Sequence, residues 1–295
     1  MSLRVIRPLA ALFALVIAVA AIPLSASAQN LTGTLAKIKQ SGEIVIGHRD
    51  DGAPYAFLNM DQKITGYSID VCDQVVKAVA AAVGSKDLKV RYVSSTAATR
   101  IPLVANGTVD LDCGNATDTF ARAHQVDFSL PIFFSDSKLL VLKSSPIKGY
   151  RSLGGKTIAV VQNTTSDSYF TGLLEAKKIN VHLIRLTSIP EAMLAVTTGR
   201  ADAFAGDVVP LGAQLLKSPD RSKLHIVGSP QGSNPICLMT RQNDSAFRLV
   251  VNGAISKMIG DGELFKLQDK WFGPLGIKLD AATRRAFIDE AIPME

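Results

Sequence analysis

Three arginines in the sequence come just after stretches that are predicted to be β-strands. Arg49 ends the first predicted strand, Arg100 follows a strand that ends near Val93, and Arg122 lies beyond a strand that ends at Cys113. The guanidinium group can hold a carboxylate through two parallel hydrogen bonds. The three arginines are therefore candidates for binding an anionic group.

Other polar residues occupy similar positions. Asn115 and Thr117 follow one predicted strand, Thr164 and Thr165 open a helix after another, and Asp207 ends a third. An aspartate suits a primary ammonium group, and the free N–H groups at a helix start add donors for a carboxylate. Together with the arginines, this set fits a zwitterion that has one additional negative charge.

Each of these residues also has a purely structural interpretation. A single arginine after a strand commonly forms an ion pair, a hydroxyl before a helix is a usual N-cap, and Asp207 could simply cap the helix that follows it. The four histidines are dispersed, and we find no nucleophile elbow and no phosphate-binding glycine loop in the sequence. The three cysteines do not have the spacing of a zinc site. We therefore predict a binding protein with no catalytic residue, no metal and no cofactor.

Alternating strands and helices are predicted along the chain, which indicates an α/β fold. Ligands of open α/β sheets bind outside the carboxyl ends of the strands, so residues at strand ends are the informative ones. A weak internal repeat is also present: Ile101-Pro102 leads through a short helix to Asn106-Gly107 and a strand, and Ile189-Pro190 leads likewise to Gly199-Arg200 and a strand. The repeat predicts two similar α/β lobes rather than one large sheet.

Two extended segments are predicted to join the lobes. Leu139 to Leu142 would lead out of the first lobe, and Ile236 to Arg241 would lead back into it. Because the chain returns, the first lobe is predicted to be discontinuous. Our predicted bounds are residues 29–133 and 235–295 for lobe 1 and residues 134–234 for lobe 2.

The first 28 residues have the pattern of a secretory signal. Arg4 and Arg7 precede an apolar stretch over residues 9–24, and Ala26-Ser27-Ala28 supplies the small residues that signal peptidase accepts. We predict cleavage after Ala28 and export to the periplasm. The formal charge of the chain is +6, but its basic residues are scattered without runs or interleaved aromatics, so we expect no nucleic-acid partner.

Several motifs of the chain resemble one protein family. These are Gly47-His48-Arg49, the stretch from Thr99 to Leu103 with Asn106-Gly107-Thr108, Asp112-Cys113-Gly114, and Asp127-Phe128-Ser129. They resemble the periplasmic solute-binding proteins of polar amino-acid ABC transporters (family 3), specifically the glutamate/aspartate-binding branch. The resemblance extends from about Leu35 to Phe272. It implies a type II periplasmic-binding-protein fold, in which two lobes, each with a mixed sheet flanked by helices, are joined by two crossover strands and close on a ligand.

The resemblance also implies a role for most of the candidate residues. Arg122 matches the arginine that holds the α-carboxylate of the ligand, with Thr117 beside it. Asp207 matches the acid of lobe 2 that receives the α-ammonium group. The remaining matches are the helix start at Thr164 and Thr165, which adds donors to the carboxylate, and the arginines that approach the side-chain carboxylate, Arg49 and Arg100.

Some positions depart from the pattern of this branch. Ala97 stands where the branch usually has a serine, and Asn115-Ala116 replaces its usual Ser-Thr. The segment from Leu186 to Glu191 lacks the histidine that the branch has in lobe 2. The side-chain pocket is therefore altered, so glutamine or asparagine stays open as the ligand besides glutamate and aspartate.

The branch tends to have cysteines that match Cys113 and Cys237, and an exported protein can form a disulfide. The resemblance therefore implies a Cys113–Cys237 bridge. Cys72, on the apolar face of its predicted helix, is expected to be a buried free thiol.

The resemblance thus implies a protein that binds an L-amino acid and delivers it to the membrane permease of an ABC transporter, and we expect it to act as a monomer. An enzyme on the same fold is the main alternative. Cyclohexadienyl dehydratases resemble these binding proteins, but their substrate needs no ammonium group, so the acid at position 207 argues against that activity.

Overall fold

The computed structural model describes residues 31–176, 178–229 and 234–293. The predicted signal sequence lies outside these residues. The described chain from Leu31 onward is one compact unit. Its helices are α1 (Gly33–Ser41), α2 (Tyr67–Val83), α3 (Arg100–Ala105), α4 (Phe120–Ala123), α5 (Thr165–Glu175), α6 (Ile189–Thr197), α7 (Val208–Lys217), α8 (Ser245–Gly260), α9 (Glu263–Phe272) and α10 (Ala281–Glu290). Its strands are β1 (Glu43–Arg49), β2 (Asp51–Gly52), β3 (Ala56–Leu58), β4 (Ile64–Thr65), β5 (Lys89–Ser95), β6 (Leu111–Thr117), β7 (Val126–Ser135), β8 (Ser137–Leu142), β9 (Thr157–Val161), β10 (His182–Leu186), β11 (Ala203–Asp207), β12 (Leu224–Val227) and β13 (Asn234–Arg241).

Two five-stranded sheets have the same design. The first has the order β5-β1-β6-β13-β7, and the second has the order β10-β9-β11-β8-β12. In each sheet the first three strands are parallel, and the fourth pairs antiparallel to the third. The fifth strand pairs antiparallel to the fourth, so it runs in the same direction as the first three. We call the elements built on the first sheet lobe 1 and those built on the second sheet lobe 2. A small antiparallel sheet, β2-β3-β4, belongs to the lobe 1 side of the chain.

The chain passes from the first sheet to the second through a single residue, Asp136, which lies between β7 and β8. It returns between β12, in the second sheet, and β13, in the first. Both crossings fall within a few residues of the predicted bounds at 133/134 and 234/235, although the domain bounds themselves stay a prediction.

Two glycines show why the local sequence folds as it does around β1 and α2. A Cβ atom at Gly47 would lie 2.9 Å from Cγ1 of Val109 and 3.1 Å from Oδ1 of Asp112, so β1 needs a glycine at this position of the Gly-His-Arg motif. Gly66 caps α2 with φ of +137°, a backbone conformation that side chains disfavour. A Cβ there would also lie 2.2 Å from the carbonyl oxygen of Tyr55.

Apolar side chains fill separate clusters in the two lobes. In lobe 1, α2, α8 and α9 pack against one face of the first sheet, and a cluster of four aromatic rings lies at its centre: Tyr55, Tyr67, Phe133 and Phe272. In lobe 2, clusters lie on both faces of the second sheet. Among the described residues, no helix is both long enough and apolar enough to cross a bilayer.

The predicted cysteine pairing was wrong. The disulfide joins Cys72 of α2 to Cys113 of β6, and Cys237 is a buried free thiol. The reason is the face of the sheet on which each side chain lies. Cys72 and Cys113 belong to the same apolar cluster, whereas Cys237 belongs to the cluster of the opposite face. The register also places Cys237 beside Ala116 rather than Cys113.

Candidate functional site

One cavity lies where the ends of the central strands of the two lobes face each other. Its empty volume is about 540 Å³, including the part open to solvent. All eight residues proposed from the sequence line it, namely Arg49, Arg100, Asn115, Thr117, Arg122, Thr164, Thr165 and Asp207. The structure brings these residues together, and their roles in binding stay predictions.

Arg122 spans the cleft. The N-cap Thr119 starts the short helix α4 and accepts a hydrogen bond from the Arg122 backbone N–H. The Arg122 guanidinium donates from Nη1 to the carbonyl oxygen of Thr117 at 2.9 Å and from Nη2 to that of Asn163, in lobe 2, at 3.0 Å. Burial lowers the pKa of Arg122, which indicates a cation without enough compensating negative charge around it.

Arg100, at the start of α3, is the least satisfied of the three arginines. Its Nη1 lies 3.4 Å from Oδ1 of Asn115, and its buried Nε has no hydrogen-bond partner. Burial, followed by the neighbouring charge of Arg122, lowers the pKa of Arg100 to about 9. A buried guanidinium with unused donors is stabilised by an anionic ligand, because the ligand supplies both the hydrogen bonds and the opposite charge.

Asp112 lies beneath the arginines, inside β6. The residue is 1% exposed; its Oδ2 accepts the N–H of Gly114 at 3.2 Å, and its Oδ1 has no partner. Burial raises the pKa of Asp112, and the charges of Arg100 and Arg49 partly offset that rise. Asp112 is thus a buried acid that electrostatically stabilises the arginines above it.

Arg49 forms an ion pair with a neighbouring acid. Its Nε and Nη2 donate to the same oxygen, Oδ1 of Asp51, at 2.9 and 2.5 Å. Oδ2 of Asp51 in turn accepts the backbone N–H of Ile189 in lobe 2 at 3.0 Å. Arg49 therefore lines the cavity as one half of an ion pair, whereas no acid among the described residues lies at ion-pair distance from Arg100, which is stabilised mainly by the charge of Asp112 from within β6.

The start of α5 supplies donors from lobe 2. Thr164 is its N-cap, and the hydroxyl of Thr164 accepts the N–H of Asp167 at 3.3 Å. Asn163 before it has a positive φ of 60°, which turns its carbonyl group toward Arg122. The N–H and the hydroxyl of Thr164 both donate to the carbonyl oxygen of Val161. The first backbone N–H groups of an α-helix have no partner within the helix, so the N–H groups of Thr165 and Ser166 can donate to a carboxylate in the cavity.

Asp207 both lines the cavity and caps α7, so its structural role as a helix cap is confirmed and its role in binding stays a prediction. Its Oδ1 accepts the N–H of Val209 at 2.9 Å and the hydroxyl of Ser135, the last residue of β7. Burial raises the pKa of Asp207 to about 6, although the hydrogen bond from Ser135 acts in the opposite direction. An ammonium group at this acid would stabilise its ionised form.

The rest of the cavity wall is apolar and comes from lobe 2. This wall consists of Val161, Ile189, Phe204, Pro210 and Leu211. A ligand held here would therefore contact the arginines on the lobe 1 side and, besides Asp207 and the α5 start, methyl or ring surfaces on the lobe 2 side. Such a division orients a small polar molecule that has a short aliphatic stem.

Sequence reasoning missed Asp51 and Asp112 as parts of the site. The turn chemistry of Asp50-Asp51-Gly52-Ala53-Pro54 predicts a loop, but Asp51 and Gly52 form the strand β2. The spacing of Asp51 two residues after Arg49 was the available signal. Within the described ranges, no cluster of histidine, cysteine or acidic side chains could hold a metal ion.

The model of the bacterial extracellular solute-binding proteins, family 3, matches residues 44–274. The chain belongs to this family. It is 38% identical over 258 residues to the L-glutamate/L-aspartate-binding protein of Pseudomonas aeruginosa, covering 86% of this chain and 85% of that protein. It is 33% identical over 272 residues to the glutamate/aspartate import solute-binding protein of Escherichia coli, covering 92% and 89%. The ABC transporter glutamine-binding protein of Bacillus subtilis is 29% identical over 83% of this chain and 87% of its own length.

Solved structures of amino-acid-binding proteins have the same fold as this family member. A cysteine-binding protein of Campylobacter jejuni superposes with a TM-score of 0.75 at 26% identity, covering 85% of this chain and 98% of that one. An ancestral amino-acid-binding protein that is a precursor of cyclohexadienyl dehydratase superposes with a TM-score of 0.71 at 27% identity, covering 81% and 100%. The predicted type II periplasmic-binding-protein fold, with two lobes joined by crossover strands, is thereby confirmed.

Proposed function

We propose that this protein binds L-glutamate or L-aspartate in the cleft between its lobes and delivers the ligand to the permease of an ABC transporter. The observation on which the proposal rests is the convergence of Arg49, Arg100, Arg122 and Asp207 on one cavity. Arginine suits carboxylates and aspartate suits an ammonium group. The named ligands of the P. aeruginosa and E. coli relatives support the same ligand class.

Each end of the ligand has a proposed partner. The α-carboxylate lies between Arg122 and the start of α5, and the α-ammonium group lies at Asp207. The distal carboxylate lies at Arg100, whose Nε has no hydrogen-bond partner in the protein. The short stem between them lies against the apolar wall of lobe 2.

Contacts across the cleft support a closing mechanism. Arg122 of lobe 1 reaches the carbonyl group of Asn163, Asp51 reaches the N–H of Ile189, and Nζ of Lys217 lies 4.6 Å from the ring centre of Phe57. In the proposed cycle, the ligand docks first on the arginines of lobe 1. Lobe 2 then adds Asp207 and the α5 start, and these contacts shift the equilibrium toward the closed form.

Calorimetric titration of the chain from residue 29, freed of bound ligand by unfolding and refolding, tests the proposal. We expect binding of glutamate and aspartate, weaker binding of glutamine and asparagine, and no binding of lysine, because three arginines repel a cationic side chain. A folded protein that binds lysine, or that prefers glutamine to glutamate, would contradict the proposed ligand.

The proposal includes export through the predicted signal sequence and action as a monomer. Mass analysis of the protein secreted by a bacterial host tests the first part, because cleavage after Ala28 leaves Gln29 as the first residue. Light scattering of the ligand-bound protein tests the second.

The enzymatic alternative has a direct test. A protein that acts as a cyclohexadienyl dehydratase would convert prephenate or arogenate, and we expect no product from either with this protein. Turnover that is lost in an Asp207→Asn variant would replace the proposed binding function with a catalytic one.

A further inference from the structure

Asp51 lies beside the cleft and accepts hydrogen bonds from both lobes. One carboxylate oxygen accepts two hydrogen bonds from Arg49, and the other accepts the N–H of Ile189 across the cleft. The side chain of Asp51 is 20% exposed and that of Arg49 is 4% exposed. The ion pair is thus shielded from water on most sides, which strengthens it relative to a surface pair.

The two sets of bonds hold the Asp51 carboxylate in place when the lobes meet. Turning it away from Arg49 would also break the bond to Ile189 at the start of α6. A ligand that enters the cleft therefore meets an Arg49 whose charge is already compensated. Arg100 differs, because its Nη1 reaches only the neutral amide of Asn115, at 3.4 Å.

We propose that Asp51 is a specificity-determining residue, which offsets the charge of Arg49 and so reduces the preference of the cleft for a dicarboxylic amino acid over its amide. This inference rests on the proposed function and refines it. With Asp51 in place, the distal carboxylate of the ligand is attracted mainly by the charge of Arg100. Without Asp51, the same carboxylate would also be attracted by the charge of Arg49, whereas a neutral amide would be attracted much less.

The test compares the affinities of glutamate and glutamine in the wild type and in Asp51→Asn, measured by calorimetry at constant salt. Asparagine keeps an oxygen that can accept the Ile189 N–H but removes the negative charge. We expect the ratio of glutamate to glutamine affinity to rise about tenfold or more, because close interfacial charge pairs commonly contribute at least that much. Any general weakening of lobe closure affects both ligands and cancels in the ratio.

Asp50→Asn is the matched control. Asp50 is the adjacent residue, and its side chain contacts Ser94 and His48 rather than an arginine. We expect the ratio to change by less than about twofold in this variant, because the exposed Asp50 acts through solvent. If Asp51→Asn does not fold, Asp51→Ala takes its place with the same expected rise.

An unchanged or lower ratio in folded Asp51→Asn would overturn the inference while leaving the proposed function intact. Loss of both ligands in that variant, with the fold retained, would also overturn it, because Asp51 would then be needed for binding itself. A wild type that prefers glutamine would contradict the proposed ligand, whereas a raised ratio in the variant would still support the role of Asp51. Failure of the wild type to bind any amino acid would reject both.

Discussion

Four strands in one direction and one in the opposite direction form the sheet of each lobe, but the two lobes bring different groups to the cleft. Lobe 1 contributes Arg49, Arg100 and Arg122, with the acids Asp51 and Asp112 packed beside them. Lobe 2 contributes a helix start, one acid and an apolar wall. The difference indicates that topology fixes where a site can lie, whereas the residues at the strand ends determine what it binds.

In the proposed function, the different groups of the two lobes also predict an order of binding. The charges of lobe 1 are held by bonds within that lobe, apart from the links to Asn163 and Ile189. They form a surface on which an anion can dock before the lobes meet. In the proposed function, the groups of lobe 2 mainly contact the α-carboxylate and α-ammonium groups that all α-amino acids share. We therefore expect closure to depend on these two groups of the ligand and selectivity to depend on lobe 1.

Replacing Arg122 should have the largest effect on binding. Arg122→Ala removes the proposed partner of the α-carboxylate and the link to Asn163, and we expect about a thousandfold loss of affinity for every amino acid that binds. Calorimetry checks this, with Arg91→Ala as the control because Arg91 pairs with Glu43 at the surface. Retained binding would mean that lobe 2 alone holds the α-carboxylate and α-ammonium groups of the ligand.

Removing the disulfide should destabilise lobe 1. Its 41-residue separation predicts a loss of about 4 kcal/mol of unfolding free energy in a Cys72→Ala, Cys113→Ala double variant. Urea unfolding checks the value, with Cys237→Ala as the control without a bridge. Alkylation of the unfolded, unreduced protein should label one thiol, and three after reduction. Labelling of three thiols before reduction would contradict the bridge.

The two side-chain arginines should differ. Arg100→Gln should reduce glutamate affinity about thirtyfold more than glutamine affinity, since a buried charge loses its partner. Arg49→Gln should change the two affinities more equally, because Asp51 already offsets that charge. Titration of both variants with both ligands checks this. A larger selective effect at Arg49 would reverse the roles given to the two residues.

The pH dependence of binding should come mainly from lobe 2. Burial raises the pKa of Asp207 to about 6, so below that pH the acid is protonated and cannot pair with the ligand ammonium. Affinity should therefore rise with pH, by at most about tenfold per unit, and level off above pH 6. Titrations from pH 5 to 7.5 check this, and Asp207→Asn should flatten the profile. A variant with the wild-type profile would place the titrating group elsewhere.

Local patterns predicted much of the fold. The local pattern predicts a helix from Arg100 to Ala105 and a strand from His182 to Leu186, and these are the bounds of α3 and β10. The pattern from Val109 to Cys113 predicts a strand, but β6 spans Leu111–Thr117. The prediction ends too early because Asn115 and Thr117 are polar residues in a strand that pairs on both sides. Their polarity suits the cleft, and it conceals the strand from a search for apolar runs.

Pairings between distant segments could not be read from the sequence. Three cysteines allow three single bridges, and spacing does not distinguish them; the choice depends on which face of β6 each thiol contacts. The ion pair of Arg49 with Asp51 was missed for a different reason. A short strand such as β2 has no periodicity, and only its pairing with β3 reveals it.

Only Asp136 separates β7 of lobe 1 from β8 of lobe 2, and this short connection limits how far the lobes can separate. A connection this short keeps the facing surfaces at a high effective concentration, of the order of millimolar or above. The lobes can hinge apart, but they have little freedom to slide past each other or to pair with a lobe of another molecule. Lengthening this connection by a flexible insertion would leave every contact in the cleft available and would still weaken capture of the ligand, because closing would then cost more chain entropy.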